Sequence, residues 1–301
     1  MNYLYPSTLF AVVVLYNKST EDSNTISNLL DVNICRLKII VVDNSTLVYD
    51  NKIKCDHNGI YYISMHGNKG LSKAYNAALD HIQEHSCKDD LIIWFDDDTQ
   101  VTKEYFAALN DALLKNENSD VFVPIIYGQN GKIYSPSNAG FLKNKLLKSI
   151  NDKIDYSRFF AINSCLAVRQ NIYQNYRYDE RLFLDSVDHK FFEDIRKMNI
   201  NFKIVYTPII QNFFQRGKDL NVSIIKNRLR IRVIDLMSYS QKSIKYTFLG
   251  VMKAFGWGIV FSWKCKSMSL LIICIKHAIL GFSNNIKFFM GLTSKRSIRL
   301  Q

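Results

Sequence analysis

The chain has 301 residues, 48% of them apolar, which allows one large core or two modest domains and excludes a disordered protein. Its six cysteines form no CxxC pair and show no zinc-ligand spacing, so we expect neither a disulfide framework nor a structural zinc site. The net charge of +12 is unevenly placed: residues 1–220 contain 25 Lys and Arg against 26 Asp and Glu, whereas residues 221–301 contain 14 against one.

Apolar, β-branched runs that end in polar residues are typical of strands, and the first half of the chain contains several. In chain order they read FAVVVLYN, LKIIVVDN, GIYYISMHGN, LIIWFDDD and VFVPIIYG. Between them, apolar residues recur at helical spacing, at Ile26, Leu29 and Leu30, at Leu71, Tyr75, Ala78 and Ile82, and, after the predicted N-cap Thr102, at Phe106, Leu109, Leu113 and Leu114. Continuous apolar strands that alternate with helices predict a doubly wound α/β fold with a mostly parallel sheet.

Beyond residue 128 the pattern is irregular until a last strand, NFKIVYTP, and no repeat or linker interrupts the chain. We therefore predict one domain over residues 1–220 and a basic helical region over residues 221–301. This region contains two apolar stretches, YTFLGVMKAFGWGIVFSW and SMSLLIICIKHAILGF. Each is interrupted by lysine or falls short of the roughly 20 apolar residues of a spanning helix, which favours helices lying on an anionic membrane surface. Two ordinary core helices explain the same pattern.

The segment Met1–Tyr5 lacks a basic stretch followed by an uninterrupted apolar one, so we recognise no secretory signal. We expect a cytoplasmic protein, peripheral on the inner face of the cell membrane. The run KNRLRIRV has four basic residues in eight, a pattern that also occurs in nucleic-acid-binding proteins, so nucleic-acid binding is an alternative function. The apolar character of the surrounding sequence favours membrane over nucleic acid, and we expect no nucleic-acid partner.

Three adjacent carboxylates, Asp96, Asp97 and Asp98, follow the apolar run LIIWF. Like charges at a strand end need a positive partner, and a divalent cation held between carboxylates and a diphosphate provides one. A solvated acidic turn explains the same residues. An aspartyl-phosphate enzyme is disfavoured, because Gln100 occupies the position where such enzymes have Thr or Val.

Other polar residues follow the neighbouring strands, and the carboxyl ends of parallel strands share one edge of a sheet, where ligands bind. Asn17, Asp43 and Asn68 are predicted to meet the aspartates there. The Asp43 carboxylate can accept a hydrogen bond from a ligand, or can simply cap a turn. Gly67 and Gly70 allow the backbone to approach an anion at a helix N-terminus, although two such glycines are commonly only a turn. Neither GxGxxG nor GxxxxGK[ST] is present.

A second acidic pair, Asp185 and Asp188, occurs in the segment FLDSVDHKFF. At a spacing of three the two side chains share one face of a helix, and a neighbouring carboxylate helps to raise the pKa of a general base. Asp enrichment at a helix N-terminus explains the same residues without chemistry.

Together, VVVLYN, IIVVDNST, GNKGLSKAYNAAL, WFDDDTQV and YDERLFLDSVDHKFF resemble the family 2 glycosyltransferases with the GT-A fold. The order and approximate spacing of these segments, over about residues 10–215, carry the resemblance. The segments resemble in particular the bacterial branch that includes rhamnosyl and galactofuranosyl transferases. The resemblance implies an inverting, metal-dependent transfer of a sugar from a nucleotide-sugar donor to a lipid-linked or oligosaccharide acceptor.

The resemblance also implies residue roles. Asp43 would contact the base of the donor, and the metal, Mg²⁺ or Mn²⁺, would be held by Asp96 and Asp98. Asp188 would deprotonate the acceptor hydroxyl. The full set of donor-binding residues that it implies is Asn17, Asp43, Asn68, Gly70, Lys73, Asn76, Asp96 and Asp97.

One feature departs from the family pattern. Relatives often have a His after the last strand to complete the metal site, but this chain has Gln211 and Asn212 there. A protein that binds nucleotide sugars or glycans without turnover is the alternative function.

Overall fold

The computed structural model describes residues 7–32, 34–116, 118–211 and 221–292. The strands are β1 (Leu9–Leu15), β2 (Leu37–Asp43), β3 (Tyr61–Ser64), β4 (Leu91–Phe95), β5 (Val121–Gly128), β6 (Ile133–Ser135), β7 (Ser137–Asn138), β8 (Lys145–Leu146), β9 (Phe159–Phe160), β10 (Leu166–Arg169) and β11 (Phe202–Gln211). The α-helices are α1 (Asn24–Asp31), α2 (Asn51–His57), α3 (Leu71–Gln83), α4 (Lys103–Lys115), α5 (Gln170–Tyr173), α6 (Val187–Ile195), α7 (Val222–Ser240), α8 (Ile244–Lys264) and α9 (Ser269–Phe289).

The central sheet has the order β11-β5-β10-β4-β1-β2-β3, with β6 paired to β5. Most neighbours are parallel, and β10 alone on this path is inserted antiparallel, between β4 and β5. The three strands at the centre of the predicted pattern, β1, β2 and β4, are buried almost throughout, as continuous apolar strands covered on both faces should be. The predicted α/β class with a mostly parallel sheet is confirmed.

The described residues separate into two compact units. The first consists of the described residues within 7–69, 73–178 and 191–211, and it contains the sheet. The second consists of those within 70–72, 179–190 and 221–292, and it contains α7, α8 and α9. Our predicted boundary near residue 220 therefore differs from this division at two segments, 70–72 and 179–190, which group with the C-terminal helices.

The second unit is built on close helix contacts. A Cβ atom added to Gly258 on α8 would lie 2.8 Å from Leu271 Cδ1 and 3.2 Å from Leu271 Cα on α9, so a larger residue would require α9 side chains to shift. Asn285 on α9 donates to the Met237 carbonyl on α7 at 2.9 Å and to Thr247 Oγ1 on α8 at 3.1 Å. A buried amide nitrogen that donates to two neighbouring helices fixes their register.

Candidate active site

The carboxyl ends of β1, β2, β3 and β4 meet at one edge of the sheet. Leu15 pairs with Asp43 and Val13 with Phe95, while Asp43 pairs with Ser64. The register thus places the residues that follow these strands side by side. We expected polar residues to gather at this edge because neighbouring parallel strands end on the same side of a sheet, and these strands are parallel.

The turn that carries the three aspartates is held by α1 and the residue before it. Thr25 Oγ1 donates to the Asp96 carbonyl at 2.5 Å and accepts from the Thr99 N–H at 2.8 Å, and Ser23 Oγ donates to the Asp97 carbonyl at 2.7 Å. Since the backbone of the turn is fixed by these bonds, the carboxylates are presented from a rigid base. Such support is what a ligand site requires of its surroundings.

The Asp96 carboxylate lies in an environment that disfavours its charge. Burial, followed by the negative charge of Asp98, raises the pKa of Asp96 to about 6. The hydrogen bond that Gln211 Nε2 donates to Asp96 Oδ2 acts in the opposite direction and lowers this pKa. The other atom of that amide, Gln211 Oε1, is buried and has no hydrogen-bond partner among the described residues. A half-buried carboxylate beside an unsatisfied amide oxygen is an arrangement that a hard cation would stabilise. Asn212 lies outside the described residues.

Asp97 has a protein partner of its own. Lys18 Nζ lies 3.0 Å from Asp97 Oδ1. Burial raises the pKa of Asp97, although the Lys18 contact opposes that effect. Asp98 is the exposed member of the three. The lysine therefore neutralises the middle carboxylate, and Asp96 and Asp98 remain the better candidates for a metal.

Asp43 lies at the edge of a cavity of about 360 Å³. Its Oδ2 accepts from Asn51 Nδ2 at 2.9 Å and from the Tyr62 hydroxyl at 3.0 Å, and its Oδ1 accepts from the Ser45 N–H at 3.0 Å. These three bonds orient the carboxylate. The cavity is lined by Asp43, Ser45, Thr46, Leu47, Val48, Tyr49, Tyr62, Ser64, His66 and Gly67. A larger open depression of about 660 Å³, near Lys115, Ser119 and Phe202, contains none of the predicted site residues.

Asn17 shapes the wall of the Asp43 cavity. Its backbone is left-handed, at φ 50°, and its side-chain oxygen accepts from the Thr46 N–H at 2.8 Å and the Leu47 N–H at 3.1 Å. Asn68 is held in a similar way, since Asn44 Nδ2 donates to its Oδ1 at 3.1 Å. The structure therefore engages both asparagines in the loops around the cavity.

Three predicted donor-binding residues lie around the start of α3. Asn76 is buried, and its side chain bonds both backbone groups of Tyr178, at 2.9 and 3.0 Å. This pairing is structural. Lys73 is exposed on the helix. Gly70 belongs to the second unit, where its φ of 91° and a gap of only 2.7 Å between an added Cβ and Phe183 Cδ2 require glycine.

Asp188 lies in the first turn of α6, in the part of that helix that belongs to the second unit. The segment before it is anchored by Asp235 on α7. The Asp235 carboxylate accepts from the N–H groups of Phe183, Leu184 and Asp185, at 2.8, 2.7 and 2.7 Å. Burial raises the pKa of Asp235 to about 7, against the effect of these three bonds. The single acidic residue of the basic region therefore positions the segment that leads to the predicted base.

Residues 10–177 match the sequence model of glycosyl transferase family 2, which is more than half of the chain. The chain belongs to this family. It is a glycosyltransferase with the GT-A fold, as its motifs and sheet predict. No curated protein sequence matches the chain.

Solved structures show the same fold at low sequence identity. Staphylococcus aureus TarS 1–349 is similar to this chain with a TM-score of 0.50 and 16% identity, over 96% of this chain and 93% of that one. A mannosyltransferase, PcManGT from Pyrobaculum calidifontis, in complex with GDP-Man and Mn²⁺, is similar with a TM-score of 0.51 and 10% identity, over 97% of this chain and 78% of that one.

Sequence reasoning missed three residues that the structure places in supporting positions. Lys18 pairs with Asp97, Asp235 anchors residues 183–185, and Thr25 fixes the aspartate turn. Only Asp235 gave a signal, as the one acidic residue among 14 basic residues in 221–301. The other two contacts join residues more than 70 positions apart and follow from the sheet order.

Proposed function

We propose that this glycosyltransferase moves a sugar, with inversion, from a UDP- or dTDP-sugar such as galactofuranose or rhamnose to a lipid-linked or oligosaccharide acceptor. The pathway would be capsule, O-antigen or cell-wall polysaccharide synthesis. The observation that carries the proposal is the strand-end edge itself. There an oriented Asp43 borders a cavity, and two further carboxylates, Asp96 and Asp98, follow the neighbouring buried strand.

On the donor side, the cavity at Asp43 would receive the base. The carboxylate is already oriented by Asn51 and Tyr62, so the part of it that lines the cavity would accept from a base N–H without rearrangement. Asn17 and Asn68 would act by holding the loops that surround the nucleotide. Lys73, exposed in the first turn of α3, is suited to meet a phosphate.

Asp96 and Asp98 would hold Mg²⁺ or Mn²⁺, with Gln211 Oε1 as a further oxygen ligand. The residues fit the ion, because hard cations prefer oxygen donors and both the raised pKa of Asp96 and the unpartnered amide oxygen call for one. No cluster of three or more His, Cys, Asp or Glu side chains suited to a metal exists among the described residues, so phosphate and water oxygens would complete the shell. When bound, the ion neutralises the departing diphosphate.

On the acceptor side, Asp188 would take the proton from the attacking hydroxyl. Its position in the first turn of α6, behind a segment fixed by Asp235, provides the rigid placement that a general base needs. The hydroxyl oxygen attacks the anomeric carbon as the bond to the diphosphate oxygen breaks, so the configuration inverts and no covalent enzyme intermediate forms.

The C-terminal helices would place the enzyme on the inner face of the membrane. Along α8, large apolar side chains are exposed at helical spacing, at Phe248, Met252, Phe255, Ile259 and Trp263. Trp263 is 83% exposed. Among the described helices, only α9 has the length and hydropathy of a membrane-crossing helix. An exposed apolar stripe within a strongly basic region matches an anionic lipid surface.

The test of this function is a panel of nucleotide sugars incubated with Mn²⁺ and assayed for released nucleoside diphosphate. We expect release from at least one donor, and none from Asp98→Ala. Lys115→Ala, at an exposed residue on the C-terminal end of α4, serves as the control and should retain release. No release from any donor would favour the alternative, a binding protein without turnover.

A further inference from the structure

Lys18 links the carboxylate of Asp43 with the turn that carries the three aspartates, and all of these residues belong to the first unit. The Lys18 carbonyl accepts from Asn51 Nδ2 at 3.1 Å, and the same nitrogen donates to Asp43 Oδ2 at 2.9 Å. The Lys18 side chain reaches the aspartate turn, where its Nζ lies 3.0 Å from Asp97 Oδ1. One residue is therefore tied to both ends of the proposed donor site.

The backbone around Lys18 is fixed independently of its ion pair. On one side, the Asn17 N–H donates to Ser45 Oγ at 2.9 Å. On the other side, the Thr20 N–H donates to Asn51 Oδ1 at 2.9 Å, and the Asn51 side chain is fully buried. Because the loop is bonded before and after the lysine, the contact with the aspartate turn is not needed to hold the loop in place.

The Lys18 ammonium has capacity for a further acceptor. It has three N–H donors, and among the residues that the structure describes Asp97 is the one partner it meets. The side chains of Lys18 and Asp97 are 29% and 22% exposed, so a ligand can reach the pair. Charge-assisted bonds from an ammonium to a phosphate oxygen are stronger than bonds between neutral groups. A phosphate therefore suits the remaining donors.

A nucleoside diphosphate carries its phosphates between the base and the metal. With the base at Asp43 and the metal at Asp96 and Asp98, the diphosphate would pass Lys18, which is tied to both places. We propose that Lys18 binds a phosphate of the nucleotide-sugar donor and that Asp97 positions the lysine for this contact. A fixed cation there would also stabilise the diphosphate as it departs. The assignment rests on the proposed function, and it gives the middle aspartate a role other than metal ligation.

The competing explanation is that Lys18 only neutralises Asp97, whose charge would otherwise repel the diphosphate. A double-mutant cycle separates the two explanations. Lys18→Met, Asp97→Asn and the variant that combines them are compared with the full parent chain, and Lys18→Arg tests whether another cation serves. The matched control is Lys54→Met, because Lys54 also pairs with a carboxylate, that of Glu21, three residues beyond Lys18.

Binding is measured by calorimetry in the presence of Mn²⁺, and the melting temperature of each variant is recorded beside it. The probes are UDP and dTDP, with uridine and thymidine as the matched ligands that lack phosphate. GDP and inorganic pyrophosphate extend the set to a different base and to no base at all. None of these measurements requires an acceptor or turnover.

We expect Lys18→Met to bind UDP or dTDP about tenfold or more weakly than the parent, because it loses a charge-assisted bond to phosphate. Uridine or thymidine should bind Lys18→Met and the parent alike. The variant that combines Lys18→Met with Asp97→Asn should remain as weak as Lys18→Met, and Lys18→Arg should recover most of the affinity. Lys54→Met should bind every probe as the parent does.

Two results would overturn the phosphate contact. Parental affinity for UDP or dTDP in the combined variant would leave Lys18 as a neutralising partner of Asp97 and nothing more. Equal losses in Lys18→Met and Lys54→Met, or a loss of nucleoside binding that matches the loss of nucleotide binding, would assign Lys18 to the structure of the loop.

Failure of this assignment can be told apart from failure of the proposed function. If a donor is turned over and Lys18→Met binds its nucleoside diphosphate normally, the Lys18 assignment is wrong and the function stands. If GDP or pyrophosphate binds through Lys18 while no UDP- or dTDP-sugar is turned over, the phosphate contact stands and the choice of donor is wrong. If the parent binds none of the phosphate probes, the phosphate contact is overturned.

Discussion

Gly70→Ala tests how the entrance to α3 is joined to the segment before the predicted base. Gly70 has a φ of 91°, and an added Cβ would lie 2.7 Å from Phe183 Cδ2 and 2.8 Å from the Phe183 carbonyl oxygen. The next residue, Leu71, donates its N–H to that same oxygen at 2.5 Å. The backbone oxygen cannot rotate away as a side chain could, so either residue 70 or residue 183 must move.

The chain offers a matched control in Gly67. Its φ is 103°, so alanine is strained there too, but an added Cβ would meet nothing within 4 Å. A non-glycine residue in such a conformation costs about 1–3 kcal/mol, and overlap in a packed site costs about 1–3 kcal/mol more. We therefore expect Gly67→Ala to lose about 1–3 kcal/mol of unfolding free energy and Gly70→Ala about 2–6 kcal/mol.

Urea unfolding measures both losses, and kinetic assays measure their effect on function. Movement of Phe183 should lower the rate of transfer to acceptor in Gly70→Ala, while nucleotide binding at the Asp43 cavity changes little. Because Gly67 lines the Asp43 cavity, Gly67→Ala is the control for stability alone. Equal destabilisation of the two variants, with a parental transfer rate in Gly70→Ala, would refute the contact between Gly70 and Phe183 as a constraint on this segment.

Two further predictions concern pH and membranes. The pKa of Asp235 is about 7 in the folded protein, above its usual value, so between these two values the folded state keeps a proton that the unfolded chain releases. The free energy of unfolding should therefore fall as the pH rises from about 4 to about 7. This group contributes up to about 1.4 kcal/mol per pH unit to that fall. Asp235→Asn should lose this part of the slope in urea unfolding at pH 4.5–7.5 in EDTA, and an unchanged slope would contradict the assignment. Replacing Phe248, Phe255, Ile259 and Trp263 by Ser removes exposed apolar surface from α8 and should release the protein from phosphatidylglycerol vesicles in a sedimentation assay. The same substitutions on exposed residues should leave the melting temperature nearly unchanged, and a variant that still pellets with vesicles would exclude this face as the membrane contact.

The parts of the fold that the sequence predicts well are those where local pattern and burial agree. The apolar sequence runs that form β1, β2, β4 and β5 are rich in β-branched residues and largely buried. Each run forms a strand close to its expected bounds. Helix α4 begins after Thr102, whose hydroxyl accepts from the Tyr105 N–H, as the capping pattern indicates. Local chemistry alone decides these elements.

Other elements follow from tertiary context. The predicted apolar stripes include Leu30 and Leu114, which are 41% and 59% exposed, because spacing identifies a helix face but not its edges. Helix α2 has little apolar spacing and is stabilised instead through Asn51, whose side chain bonds Asp43 and the Thr20 N–H. The antiparallel insertion of β10 between β4 and β5 leaves no local signature.

Some residues of the candidate site can be predicted from local sequence, and others depend on tertiary contacts. The aspartates and Asp43 could be selected from sequence because strand ends collect at one edge of a parallel sheet. The contact between Asp96 and Gln211 spans 115 positions and exists only because β11 ends near the aspartate turn. Asn17 and Asn76 were predicted to bind the sugar donor, and in the structure their side chains form hydrogen bonds to the backbone of the protein. The sequence does not distinguish these roles, because an asparagine amide can bond a ligand or the backbone equally well.

Two carboxylates divide the proposed reaction between them, with Asp98 acting on the leaving group and Asp188 on the attacking hydroxyl. The most direct test compares Asp98→Ala with Asp188→Asn for Mn²⁺-dependent binding of the donor nucleoside diphosphate, by calorimetry, and for sugar transfer to acceptor. We predict that Asp98→Ala loses both binding and transfer, whereas Asp188→Asn binds the nucleotide with parental affinity and transfers no sugar. Full transfer activity in Asp188→Asn, or unchanged metal-dependent binding in Asp98→Ala, would contradict the assignment.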